Sequence, residues 1–85
     1  MITSVVKAPQ SDILVRFGQA VRKRRMALDL TQEVLAERAE LHRTYVADIE
    51  RGVRNLSLRN IEKLAGALGL SVSSLCAGIG KGGRQ

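Results

Sequence analysis

The chain has 85 residues, with 14 Lys and Arg against 8 Asp and Glu, a formal net charge of +6. That length fits one small domain and excludes a two-domain enzyme with a sheltered cleft, while 45% hydrophobic residues exclude wholesale disorder. One Cys and one His exclude an internal disulfide and a zinc site built from those two alone.

The opening MITSVVKAPQ lacks the apolar run of about 7–15 residues that a secretory signal needs. No stretch reaches the ~20 apolar residues of a membrane span. A reducing cytoplasm is the expected compartment, with no membrane partner. Excess positive charge favours nucleic acid or another acidic surface as partner; the blander alternative is that it only aids solubility.

The residues that punctuate a chain sit at its two ends. The lone Pro is Pro9, and three of the eight Gly are Gly80, Gly82 and Gly83. Residues 1–10 read as a loose arm, 11–78 as the domain and 79–85 as a loose tail. Between the ends lies a series of short helical patterns without strand alternation.

The first helix is expected from about Ser11 to Leu28. Ser11 suits an N-cap and Asp12 the positive end of the helix dipole. Ile13, Phe17, Val21 and Leu28 fall near one face. Arg22, Lys23, Arg24 and Arg25 crowd the last turns, where cations are favoured, and Asp29 breaks the pattern. Thr31 caps the second helix, whose inward stripe is Leu35, Ala36 and Ala39. Glu40-Leu41 is a very short connection.

The third helix spans about His42 to Arg51, with Val46 and Ile49 inward. Gly52 suits the left-handed residue that ends a helix. After a loop, Ser57 caps a fourth helix from Leu58 to Leu68. There Leu58, Ile61, Leu64, Ala65 and Leu68 form one apolar stripe, closed by Gly69. Ser71 caps a short fifth helix through about Ala77. Five short helices with short loops make an all-α, compact globule.

Residues 31–52, TQEVLAERAELHRTYVADIERG, carry the function. Two helices joined by so short a turn cannot run antiparallel and must cross steeply, which is helix-turn-helix geometry. Ala36 sits where they cross. Leu41, Val46 and Ile49 anchor the second of the pair from behind, leaving Arg43, Thr44, Ala47 and Asp48 outward. Such a helix can enter a major groove; any small helical bundle also has tight helix pairs.

The segment resembles the helix-turn-helix of the lambdoid phage repressor and Cro family, also called the XRE type. The resemblance covers about residues 13–77. Its marks are Gln32 after Thr31, Leu35-Ala36, the ending Ile49-Glu50-Arg51-Gly52, and the run LRNIEKLAGALGLSVSSL. Within the family, HRTYVADIERGVRN is most similar to the controller proteins of restriction–modification systems. The resemblance implies a compact five-helix, lambda-repressor-like DNA-binding domain. It implies a transcriptional regulator, bacterial or phage- or plasmid-encoded, that binds pseudo-palindromic operator DNA as a homodimer beside the nucleoid. An antitoxin-like regulator and a protein-interaction module on the same fold are the alternatives.

By resemblance, Gln32 bridges a phosphate and the recognition helix. Arg43 and Thr44 stand in the first turn of the recognition helix, which meets base edges. Arg can donate twice to guanine, and Thr can use its hydroxyl or methyl; Arg43 as a phosphate-bound or solvated cation is the alternative. Ala47 completes the outward face. Asp48 repels phosphate, so it is expected to be paired or aimed at a cytosine amine. Tyr45 either reaches a phosphate or packs half-buried.

Arg51 and Arg54 look like phosphate clamps beside the helix, with Asn55 either joining them or turning the chain. Arg59 is a further candidate, and Arg22, Lys23 and Arg24 could extend the footprint or be a solvated face. Arg25 and Glu50 occupy the family's paired positions, where a guanidinium holds a carboxylate to fix the recognition helix. The dimer surface is expected from Leu70, Val72, Leu75, Cys76 and Ile79, although Val72 and Leu75 could instead close the core.

Two positions depart from the family pattern. Glu40 and Asp29 stand where Gly is common, so left-handed residues there carry side chains. The tail GIGKGGRQ lacks the Ser or Thr, the strand and the helix of a phosphate loop. His42 has no nucleophile or carboxylate set around it. No enzyme, cofactor, metal or small-molecule ligand is expected.

Overall fold

The computed structural model describes residues 12–79. The expected arm, Ser11 and the tail beyond Ile79 lie outside the described residues. Five helices follow one another: α1 Ile13–Ala27, α2 Gln32–Ala39, α3 Arg43–Glu50, α4 Leu58–Ala67 and α5 Val72–Cys76. No strand occurs among the described residues.

Side-chain caps start four of the helices. Asp12, rather than Ser11, caps α1, its carboxylate accepting from Leu14 N–H at 2.7 Å. One residue decides this: Asp12 has extended backbone angles, so it stands outside the helix instead of in its first turn. Thr31, Ser57 and Ser71 cap α2, α4 and α5 by accepting from the amide three residues on.

The ends of α1 and α2 close in the same way. Asp29 and Glu40 are left-handed, at φ 58° and 60°. The amide beyond each then returns to the helix: Leu30 N–H to Arg25 C=O at 3.0 Å, and Leu41 N–H to Ala36 C=O at 2.9 Å. This double-bonded ending is normally built on Gly. Both turns therefore take this ending with a charged side chain in place of Gly. α3 ends on Gly52, where a Cβ would lie 2.7 Å from Val15 Cα and meet a φ of +77°. Glycine is required there on both counts.

The core is Phe17, Val21, Leu35, Ala36, Ala39, Val46, Ile49, Leu64, Ala65, Leu68 and Leu75. Leu28, Leu30, Leu41 and Leu56 pack around it from the loops. Ala36 and Ala39, both buried, let α2 lie close against α3. α1 also approaches α3 closely, at Gly18. A Cβ there would lie 2.2 Å from the Ile49 carbonyl oxygen and 2.9 Å from that of Glu50. The two backbones touch with no side chain between them.

Two expectations about the core change. Ile13 is 51% exposed and Leu58 is 80% exposed. Each is the first residue of its helix, so its side chain overhangs the face that the later turns bury. Leu75, for which both a dimer surface and closure of the core were open, is 3% exposed and belongs to the protomer's own core. Arg24 Nε donates to the Leu68 carbonyl oxygen at 3.0 Å, which satisfies the end of α4.

Candidate nucleic-acid interface

α3 is held from behind by apolar contact and from its C-terminal end by charge. Val46 and Ile49 are buried in the core. The Glu50 side chain, only 3% exposed, accepts three hydrogen bonds. Arg25 Nε donates to Oε2 at 2.7 Å and Arg25 Nη2 to Oε1 at 3.0 Å. Gln32 Nε2 donates to Oε1 at 3.0 Å.

Arg25 Nη1 also donates to the Leu30 carbonyl oxygen at 2.8 Å. One carboxylate thus joins α1, the α1–α2 turn, the start of α2 and the end of α3. The hydrogen bonds from Arg25 to Glu50 hold the guanidinium pKa above its ordinary value, against the opposing effect of burial. Gln32 donates one hydrogen of its amide to Glu50 and keeps a second N–H donor at the start of α2.

The opposite face of α3 is open. Arg43 and Thr44 are exposed, and neither makes a hydrogen bond or ion pair among the described residues. His42 precedes α3 in extended conformation and makes no side-chain cap bond. The first amides of α3 therefore have no side-chain cap. Arg43, the first residue of α3, presents a planar fork of N–H donors on this open face.

The cations further along the helix are already engaged. Arg51 Nη2 lies 2.5 Å from Asp48 Oδ1, and Arg54 Nη2 lies 3.4 Å from Asp48 Oδ2. Arg54 also stacks over the Tyr45 ring at 4.7 Å from its centroid. The Asp48 side chain is 19% exposed, whereas Arg51 and Arg54 are 65% and 46% exposed. Exposed pairs of this kind contribute about 0–1 kcal/mol, so a phosphate can draw either arginine away. Asp48 is paired, as one of its two expectations had it.

Tyr45 is half-buried, and its hydroxyl oxygen accepts from Asn60 Nδ2 at 2.9 Å. The phenol hydrogen is then free to donate. Leu41, His42, Thr44, Tyr45, Arg54 and Asn60 line one groove beside α3. Asn55 is exposed in the loop after α3, and Ala47 is half-buried on α3. Arg59 is exposed on α4, outside that groove. Leu70, Cys76 and Ile79 are half-buried against the protomer's own core, and Val72 is exposed.

Sequence reasoning missed Gly18 and Asn60. A glycine inside an otherwise regular helical pattern was the signal for Gly18. Nothing local marks Asn60, because its partner Tyr45 lies fifteen positions away on another helix.

Comparison with known proteins places this geometry. A helix-turn-helix family model matches residues 21–75. The control protein C.BamHI of Bacillus amyloliquefaciens is 50% identical over 66 residues, covering 76% of this chain and 82% of that protein. The chain belongs to the helix-turn-helix family of restriction–modification controller proteins.

The solved structure of the controller C.AhdI from Aeromonas hydrophila is 52% identical, with a TM-score of 0.72, covering 73% of this chain and 94% of that one. The controller C.Esp1396I, solved as a tetramer with its natural 35-base-pair operator, is 31% identical. Its TM-score is 0.74, and the match covers 80% of this chain and 90% of that one. Family members are helix-turn-helix DNA-binding regulators, and α2 and α3 are that motif in this chain. Among the described residues no helix is long and apolar enough to cross a membrane, and no group of three or more His, Cys, Asp or Glu could hold a metal ion.

Proposed function

We propose that the chain is the controller of a restriction–modification operon, a cytoplasmic homodimeric regulator and not an enzyme. It reads a pseudo-palindromic operator by laying the first turn of α3 in the major groove. In this reading Arg43 and Thr44 contact base edges, Ala47 faces the same bases, and Asp48 sets the geometry of Arg51 and Arg54. Gln32, Tyr45, Arg51, Arg54 and Asn55 contact phosphates. Arg25 and Glu50 touch no DNA and hold α3 in place.

The supporting observation is the contrast along α3. Arg43 and Thr44 are exposed and unpaired among the described residues, on a helix whose far end is locked by a buried carboxylate. Selection of bound sites from random duplex DNA tests it. Enrichment of two inverted half-sites about one helical turn apart, near 34 Å, is the expected result. Loss of enrichment at one base pair in the Arg43→Ala variant assigns that pair to Arg43. Absence of any enriched site overturns the reading in favour of a protein-interaction module.

A further inference from the structure

α3 carries two carboxylates, and they have opposite fates. Glu50 is consumed behind the helix by Arg25 and Gln32. Asp48 lies one turn after the exposed Thr44, on the same side of the helix. An acid there repels phosphate unless it is matched. Both of its oxygens are matched from within the chain: Oδ1 by Arg51 and Oδ2 by Arg54.

The backbone sets up this arrangement. Arg51 is one turn beyond Asp48 on the helix. The chain then folds back, Val53 N–H donating to the Asp48 carbonyl oxygen at 3.1 Å, and Arg54 arrives over the same carboxylate. Arg54 has a second hold on the Tyr45 ring, whose hydroxyl takes a hydrogen bond from Asn60. Arg51 has no partner besides Asp48 among the described residues.

We propose that Asp48 makes the grip of Arg51 and Arg54 on phosphate depend on the base that Asp48 faces. Without DNA the carboxylate holds both arginines. On a duplex, phosphates compete for them, and an arginine drawn away leaves a carboxylate unpartnered in a desolvated, negatively charged interface. That state is unfavourable unless another donor takes the arginine's place. In the major groove the donor that suits a carboxylate is the N4 amine of cytosine; the adenine amine stands beside the N7 acceptor, which repels it.

A cytosine opposite Asp48 therefore releases both arginines to phosphate, and any other base leaves them on Asp48. Exposed arginine–carboxylate pairs are weak, so the exchange lies near balance and one base contact decides it. Arg51 moves first, because Arg54 must also leave Tyr45. The inference rests on the operator reading above and adds the base class that α3 requires at this position.

Salt titration of duplex binding by the full chain tests the coupling. The probes are the most enriched duplex from site selection, its single-base-pair substitutions and a random-sequence duplex. One C·G pair should stand apart. Replacing it should weaken wild-type binding by about 5–150-fold. It should also flatten the salt slope by up to about 1.8 per half-site, the share of two phosphates. Replacing other pairs should change affinity and leave the slope alone. Asp48→Asn should lose the cytosine preference, since Asn suits adenine. It should bind the random duplex roughly tenfold more tightly and show one slope on every probe. Arg51→Ala combined with Arg54→Ala should keep the cytosine preference and lose the slope difference.

Equal wild-type slopes on the enriched duplex and on all its substitutions overturn the proposal. So does an Asp48→Asn variant that keeps both the cytosine preference and the slope difference. If no duplex is enriched, the operator reading falls and the coupling with it. If a duplex is enriched and the slopes are equal, the coupling alone falls.

Discussion

Replacing Arg25 by Ala removes two of the three donors on a carboxylate that is 3% exposed. Gln32 alone cannot neutralise that charge. Breaking one partner of a buried pair costs about 3–5 kcal/mol, because the other charge stays buried and uncompensated. Arg25 is 13% exposed in its side chain, so solvent screens the pair little. The Leu30 carbonyl also loses its donor, which adds roughly 1 kcal/mol.

A domain of this size has a total stability of roughly 3–10 kcal/mol. At about 4–6 kcal/mol in all, Arg25→Ala should therefore lower Tm by roughly 16–48 °C, as read by thermal and urea unfolding. The paired change Arg25→Met with Glu50→Leu should lose far less, because it removes both charges at similar volume. The hydrogen bonds to Glu50 raise the Arg25 pKa. The contribution of Arg25 is then complete below the ordinary guanidinium range and lost only as pH rises above it. The loss on Arg25→Ala should accordingly be flat across neutral pH. A cost under about 1 kcal/mol, or a double variant as unstable as the single, refutes the idea that this pair locks α3.

Arg43→Ala should cost ~1–3 kcal/mol at one base pair and relax specificity there, measured by titrating operators with single substitutions; equal weakening on every sequence would make it a phosphate contact. Asp48→Asn should release Arg51 and Arg54, raise affinity for any duplex and steepen the salt slope by up to about 0.9 for each phosphate gained. An unchanged slope would mean that both arginines already contact phosphate in the wild-type complex. Gly18→Ala should destabilise by about 2–3 kcal/mol or more in thermal unfolding, despite the better helix propensity of Ala, because its Cβ has nowhere to go. A variant as stable as wild type would show that α1 and α3 can part without cost.

The helix order was legible because most of the helices carry their own start and stop signals. Thr31, Ser57 and Ser71 cap where a hydroxyl before an apolar-periodic run says they should. The start of α1 was less clear, since Ser11 and Asp12 are adjacent capping residues and pattern alone does not choose between them. Exposure at helix ends was illegible for a related reason. Ile13 and Leu58 fit the apolar period, but periodicity does not say where the facing helix stops. On the DNA side, the outward face of α3 follows from Val46 and Ile49 pointing inward. The sharing of Asp48 between Arg51 and Arg54, and the Tyr45–Asn60 bond, depend on how a loop and α4 fold back beside α3. Spacing along the chain does not encode those contacts.

The salt dependence of duplex binding tests the central claim most directly. A dimer that neutralises about 6–10 phosphates should lose roughly 10³–10⁵ in affinity between about 50 and 200 mM salt, and should keep a preference for its selected operator throughout. Affinity that is insensitive to salt, or no duplex binding at the lowest salt, would contradict the account.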